Sequence, residues 1–395
     1  MDSAVDSAVG EKRISFAYDV NFNTLFDNRE FAYSKDAYLK SMTLFGSRLA
    51  PAVGIDIDRG RDISHSLMVG LDLFKQFGRS PIASDIAGED VPETARRQNT
   101  WDIFEEITLY YKLQARVGRD KETFLELNAG VFPHRFVKGE FSEVFRSDSL
   151  AFFDNNIEGI LFSVTHPKVQ FELGCDWLGQ KGDYRRERFI VFGYLDVPIV
   201  KWSDFKLSGY MYHYAGSGQV RGVVDNVLFN PRFTFKFEEL LPLQKFQLTL
   251  GSHIGLQRDR MVTSKMTVPV LGNVDLELRN WNVGIINSFS FGQNMMPMYD
   301  NYDAGDVKFG NHLYLGSPMY QMGAVGCVGL DGAGKVGIYD RLEVYYQPKI
   351  ASFLDLKIGA VMHFNQKFLG WQQQISLILD LSPDTLNPYI RKRKK

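Results

Sequence analysis

Long apolar runs are missing from this chain. No stretch of 18 consecutive apolar residues occurs, so the sequence offers no transmembrane helix. Helical periodicity is nearly absent too, with only 133–157 as a weak candidate. Cysteine is scarce. Cys175 and Cys327 are the only two, and neither belongs to a Cys-x-x-Cys pair, which argues against a structural zinc site. An oxidising compartment would allow a disulfide between them; otherwise they are free thiols. Charge of one sign is lacking: 45 Lys and Arg stand against 47 Asp and Glu, so nothing marks a nucleic-acid partner. The start, Met1-Asp2-Ser3-Ala4-Val5, has neither the basic residues nor the apolar run of a signal peptide. It fits a cytosolic protein, or a mature chain whose signal has been removed. The rest of the chain favours the second.

What is present in quantity is aromatic residues, 31 Phe and 18 Tyr among 395 residues, set in a period-two pattern. Ile14, Phe16, Tyr18, Val20 and Phe22 alternate with polar or small residues. Ile107, Leu109, Tyr111 and Leu113 repeat the pattern, as do Phe233, Phe235 and Phe237. It closes with Trp371, Ile375, Leu377, Leu379 and Leu381, where Gln373 breaks the apolar set once. Such alternation reads as strand. Sixteen strands are expected, at 14–27, 42–57, 65–75, 102–115, 123–132, 158–165, 169–178, 187–197, 205–215, 225–237, 245–258, 261–271, 274–291, 336–347, 353–364 and 370–381. The parity of 274–291 changes near Trp281, which suggests a bulge.

The connections sort into two sets. Every second one, namely 58–64, 116–122, 166–168, 198–204, 238–244, 272–273 and 348–352, is short. All the long ones fall in the other set: 28–41, 76–101, 133–157, 179–186, 216–224, 259–260, 292–335 and 365–369. Short turns at one end and long loops at the other are the pattern of a closed antiparallel transmembrane β-barrel. A soluble sandwich would also alternate, with its apolar faces inward. Three features favour the barrel. The strands are long enough to cross a bilayer obliquely. Aromatic residues such as Phe22, Phe26, Tyr111, Trp177, Phe237, Trp281 and Trp371 could form girdles near the strand ends. Charge sits at mid-strand on the polar face. No motif recurs at the spacing of a propeller blade. The expected organisation is a periplasmic segment 1–13, a barrel over 14–381 and a basic periplasmic tail 382–395, in the outer membrane and in contact with its lipid.

These runs, together with the closing strand Trp371–Leu381, resemble Gram-negative outer-membrane barrels of the porin-like kind over nearly the whole chain. Gly310-Asn311-His312-Leu313-Tyr314-Leu315-Gly316 and Tyr339-Asp340-Arg341-Leu342-Glu343-Val344-Tyr345-Tyr346 look like uncharacterised barrels of Bacteroides-type bacteria. The resemblance implies a channel for small hydrophilic solutes, and porin-like barrels are often homotrimers. One departure is the ending. Such proteins commonly finish on an aromatic residue of the last strand, whereas here the chain runs on to Arg391-Lys392-Arg393-Lys394-Lys395.

Catalytic signals are thin. Outer-membrane phospholipases resemble a Ser and a His two residues apart on one strand face. Ser64-His65-Ser66 has the wrong spacing, and His213 with Ser217 lacks a third member. No His pair has metal-ligand spacing, and no metal or cofactor is expected. Gly329–Lys335 falls short of a phosphate loop, since Val336 follows where Ser or Thr is needed.

Function is therefore expected in the lumen. By parity the inward acids are Asp19, Asp56, Asp72, Glu106, Glu126, Glu172, Asp176, Glu277, Glu343 and Asp355. The inward bases are Lys112, Arg232, Lys236, Arg279, Arg341 and Lys357. That excess of acid predicts a modest cation preference, unless the charges merely pair across the wall. Loop 133–157, with Arg135, Glu140 and Arg146, resembles the infolded eyelet loop of general porins. Loop 292–335 is rich in Met, Tyr and Gly and suits a plug, a lid or a partner's docking surface. The leading expectation is a porin-like channel without enzymatic activity. Behind it come a non-conducting scaffold barrel that docks a partner through 292–335, and then a lipid hydrolase.

Overall fold

The computed structural model describes residues 13–31, 39, 41–59, 62–77, 104–119, 121–302, 305–306, 308–321, 336–382 and 385. Cys327, the N-terminal segment before Arg13, the loop Gly329–Lys335 and the basic end of the tail lie outside the described residues.

The chain forms one closed antiparallel sheet. Its strands are β1 (Ile14–Phe31), β2 (Met42–Ile57), β3 (Ile63–Gln76), β4 (Phe104–Val117), β5 (Thr123–Pro133), β6 (Asn156–His166), β7 (Val169–Gly179) and β8 (Arg188–Val200). They continue as β9 (Ser203–Tyr214), β10 (Val224–Lys236), β11 (Lys245–Asp259), β12 (Val270–Asn280), β13 (Val283–Gln293) and β14 (Val336–Tyr346). A three-residue β15 (Lys349–Ala351) precedes β16 (Leu354–Asn365) and β17 (Lys367–Leu381). Each long strand pairs with its sequence neighbours. The first and last close the ring, with Val20 opposite Leu381 and Phe31 opposite Gly370. Closure satisfies the backbone N–H and C=O groups of both edge strands, which an open sheet would leave unpaired.

Exposure tells a membrane barrel from a sandwich. The outward residues are apolar: Leu67 is 51% exposed, Leu109 54% and Leu173 48%. The inward residues are polar and enclosed: Asp72 is 1% exposed, and Glu172 and Asn230 are both 0%. A soluble protein buries the opposite set, so this surface matches a hydrocarbon surround with a polar interior. Aromatic residues gather towards the two rims of the outer face. Trp202 stacks on Phe235 at the short-turn end. Trp177 stacks on Phe189, and Phe45 meets Phe26 and Phe77 edge-on, at the long-loop end. Phe22 lies mid-strand, between Leu49 and Leu379.

Two expected strands are corrected, and the corrections cancel in the strand count. The segment 274–291 is not one bulged strand. It is the β12–β13 hairpin, turned at Trp281 and Asn282, whose φ values of 49° and 66° suit a two-residue turn. The apolar run is continuous through that turn, and the change of parity marked a reversal of direction. The segment 261–271 is a loop up to Val270. Pro269 has no N–H to give a ladder, and the loop's bridge to β11 is the isolated Gln257–Thr267 pair, beside Gly255 N–H donating to the Pro269 carbonyl at 2.9 Å. The expected connections 259–260 and 272–273 change accordingly, to a loop over 260–269 and a turn at 281–282.

The weak helical signal in 133–157 is realised as one helix, α1 (Asp148–Phe153). Ser147 Oγ caps it by accepting from Leu150 N–H at 3.2 Å, and Asp148 lies in its first turn.

Candidate pore constriction

Two long loops fold back into the barrel. The first spans 134–155. Its charged residues meet inward residues of the wall at point after point. Arg135 reaches Asp19 at 2.6 Å. Glu172 accepts from the backbone N–H groups of Lys138 at 2.9 Å and Gly139 at 2.6 Å. A Cβ on Gly139 would lie 2.8 Å from Glu172 Oε2 and 2.7 Å from Tyr194 Cβ, so only glycine lets the backbone approach this closely. Lys138 and Lys112 both sit 3.5 Å from Glu126. Glu140 takes Lys206 at 2.7 Å, and its carbonyl accepts from Arg232 at 2.7 Å. Ser142 Oγ and His253 Nε2 are 2.7 Å apart. Arg48 holds the far end of the loop, donating to the carbonyls of Phe152 and Phe153 while paired with Asp72 at 2.5 Å.

The second loop lies against the first. Its described residues within 294–321 carry an apolar core inside the lumen: Met295, Met296, Met298, Phe309, Leu313, Tyr314, Met319 and Tyr320 are all buried. The wall holds it through polar side chains. Tyr314 Oη donates to Gln257 Oε1 at 2.8 Å, and Gln257 Nε2 donates to the Met295 carbonyl at 2.8 Å. Tyr212 Oη donates to the His312 carbonyl and Asn226 Nδ2 to the Leu313 carbonyl. The two loops bond to each other by Ser147 N–H to the Leu315 carbonyl and Ser317 N–H to the Glu143 carbonyl, at 2.9 and 2.8 Å. Gly316 sits at this seam, where a Cβ would lie 2.1 Å from the Val144 carbonyl oxygen.

Arg341 on β14 is the charged centre of the constriction. It lies 2.8 Å from Glu143, 2.9 Å from Glu343 and 3.6 Å from Asp148, and Glu343 also pairs with Lys357. Burial pushes Glu143 up to about 7; Arg341 pulls the other way, and Asp148 and Glu343 add to the rise. Glu140, by contrast, is held below the usual carboxylate range: burial would raise it, but Lys206 outweighs burial. Burial drives Tyr314 and Tyr320 far above the ordinary phenol range, so both serve as neutral groups.

Of the charges expected on the inner wall, Asp19, Glu126, Glu172, Arg232 and Arg341 meet the first loop. The remainder bond along the wall. Asn156 Nδ2 bridges Asp72 and Glu106, Asp176 accepts from Glu158 N–H, Lys236 pairs with Asp204, and Arg146 donates to the Asp154 carbonyl. Asp56 pairs with Arg59, Glu277 with Lys245, and Asp355 accepts from Gln347, whose own carbonyl accepts from Arg279. The hydrolase candidate comes apart. His213 stacks outward on Phe189 at 4.5 Å, while Ser217 Oγ accepts from Val220 N–H within its own loop. His65 faces outward beside Tyr111.

Sequence reasoning missed Asp27, Arg29, Arg48 and Lys206. The first two share the parity of Asp19 but lie at or beyond the expected end of the first strand, and Arg48 shares the parity of Asp56. It also missed the free space. A cavity of about 660 Å³ opens at the short-turn end, lined by Arg279, Gln347, Lys349, Asp355 and Ile378. A second, of about 210 Å³, lies further up between α1 and the wall of β1 and β17, lined by Asn23, Asp27, Arg29, Asp148, Gln374 and Ile378. Ile378 of β17 borders both. A third, of about 80 Å³, is apolar and closed in by Phe141, Phe145, Phe192 and Tyr210 on the opposite side of the first loop.

No family model matches the sequence, and no curated protein matches it. Among solved structures, the chain is similar to the Pseudomonas aeruginosa protein OpdO (10% identity, TM-score 0.48, covering 93% of this chain and 98% of that one). It is also similar to OccK2 (OpdF) of the same organism (11%, 0.47, 93% and 98%) and to OccAB3 of Acinetobacter baumannii (10%, 0.46, 93% and 99%). At these values the likeness bears on neither family nor solute, and the barrel rests on its own strand pairing.

Proposed function

We propose that this chain is a porin-like channel of the Gram-negative outer membrane, passing small hydrophilic solutes passively through a lumen narrowed by its two infolded loops. One observation carries the reading. Inside a barrel with an apolar exterior, one cavity opens at the short-turn end and a second lies beside α1, both bordered by Ile378 of β17, while the described parts of two loops occupy the opposite side. The short turns face the periplasm and the long loops the exterior, as in such barrels generally. The resemblance to Bacteroides-type barrels belongs to the same proposal. The charged lumen residues act by fixing the first loop across the bore, and the Arg341 cluster sets the charge at the narrowest level. Single-channel recording in planar bilayers tests this. Discrete, ohmic open events are expected; a barrel that inserts yet never conducts would refute the reading.

Docking of a partner through the second loop is the weaker reading, because Met295, Met296, Met298, Tyr314, Met319 and Tyr320 are buried, although Tyr302 is exposed. A specific feature does favour lateral contact with a second copy of the chain. On the outward face, Asn287 Nδ2 donates to Asp340 Oδ1 at 2.6 Å. Three strands on, Asn28 donates to Gln373 and accepts from Thr43, and Thr24 bonds to Ser47. Polar groups facing lipid are costly, and these fall in the sector from β13 to β2. Cross-linking of an Asn287→Cys variant in intact membranes should trap a homo-oligomer; a monomer throughout would refute this contact.

A further inference from the structure

The space beside α1 has a chemistry of its own. Its charges are already matched. Asp27 takes Arg29 at 2.7 Å and two contacts from Gln372 Nε2 at 3.1 Å, with both ions buried. Asp148 leans towards Arg341. What the wall offers freely is neutral. Among the described residues, the side chains of Asn23, Gln374 and Ser376 line the cavity and bond to no other protein group. Between them they present amide donors, amide acceptors and a hydroxyl. Leu25, Phe152 and Ile378 complete the lining with apolar surface.

An ion entering this space would give up much of its water and find only Asp148, itself 3.6 Å from Arg341, as a loosely held charge in return. The matched pairs are held by their own partners, and detaching one would leave a buried charge alone. A neutral solute that carries several hydroxyls on a carbon frame loses little. Its hydroxyls replace water at the three free side chains, and its C–H surface meets the apolar residues. From this we propose that the constriction is a subsite for uncharged polyols and monosaccharides, which the channel admits in preference to ions of equal size. The inference rests on the channel reading. It departs from the cation preference expected from the count of inward acids, because those acids are bonded to partners at the loop anchors or along the wall.

A matched series tests it. Sorbitol, gluconate and N-methylglucamine share a six-carbon polyol frame and carry no charge, one negative and one positive charge. Initial uptake into proteoliposomes of the full chain is measured with the membrane potential clamped to zero. Sorbitol is expected to enter several-fold faster than either ion. In the Gln374→Glu variant, N-methylglucamine should overtake sorbitol; should that variant fail to assemble, Asn23→Asp makes the same test on the neighbouring strand. Entry of either ion at the sorbitol rate in the unaltered protein overturns the proposal while leaving a channel. Entry of none of the three overturns the channel reading and the proposal together.

Discussion

The inner wall has two unlike halves. From β8 to β14 the inward side chains are bulky: Phe192, Tyr194, Tyr210, Tyr212, Tyr214, Tyr339 and Tyr345 are buried, with Lys206, Arg232 and Arg341 among them. From β16 round to β3, small or neutral side chains stand between paired charges such as Asp27–Arg29 and Arg48–Asp72: Gly359, Gln374, Ser376, Asn21, Asn23, Ala50, Ala52, Gly54 and Gly70. Both loops pack against the bulky half: Phe192 and Tyr210 give the first loop aromatic surface, and Tyr212, Asn226 and Gln257 donate hydrogen bonds to the second. The small half gives α1 little to pack on beyond Phe74 and Arg48, and there the cavity of about 210 Å³ lies. A barrel of nearly uniform backbone thus becomes an asymmetric conduit through side-chain size alone. One half behaves as a core, and the other as a channel lining.

The contrast is most severely tested by removing what the bulky half holds. Replacing 295–320 with a short Gly-Ser linker should raise single-channel conductance several-fold; an unchanged conductance would mean that the loop does not narrow the bore. Next comes an exchange of bulk between the halves. Ser376→Trp should cut conductance by more than half with little change in stability. Tyr212→Ala should do the reverse, leaving conductance nearly intact but destabilising the barrel by about 3–5 kcal/mol, the usual cost of emptying an aromatic site. Denaturant midpoints and bilayer recordings on both variants would show whether the effects separate in this way.

Smaller changes probe the charged centre between the halves. Arg341→Ala frees Glu143, Asp148 and Glu343 from their shared cation, so the reversal potential in a salt gradient should move towards cation selectivity. Glu143 supplies a pH dependence of definite sign. Its carboxyl is raised to about 7, so acidification through that range protonates it and leaves the Arg341 charge less compensated. Cation preference should fall between about pH 8 and about pH 6, and Glu143→Gln should flatten the profile. A profile that remained unchanged in the variant would assign the step to another group.

Much of the fold was legible because a barrel writes itself as a period-two pattern with two classes of connection. The strand ends from β2 to β11 needed only small shifts. The hairpin at Trp281 was not legible as a turn, since neither Gly nor Pro marks it. The run through Pro269 alternates like a strand, although proline cannot donate to a ladder. At the constriction, parity placed Asp19, Glu126, Glu172, Arg232, Arg341 and Glu343 on the lumen side. Parity says nothing about depth or partner, so it could not show that these charges are anchors for 134–155. Nor could it show which part of the wall stays free, because that depends on where the loops land. The odd Gln373 of the closing strand finds its reason only across the seam, where it accepts from Asn28.

Thiol modification during recording tests most directly where the passage runs. With Cys175 and Cys327 replaced by serine, Ser376→Cys and Ser208→Cys place one thiol on each half of the wall. A charged methanethiosulfonate reagent should step the current down through Ser376→Cys and leave it unchanged through Ser208→Cys, which is buried beneath the loops. Full labelling at Ser376→Cys without loss of current, or block through Ser208→Cys, would contradict the account.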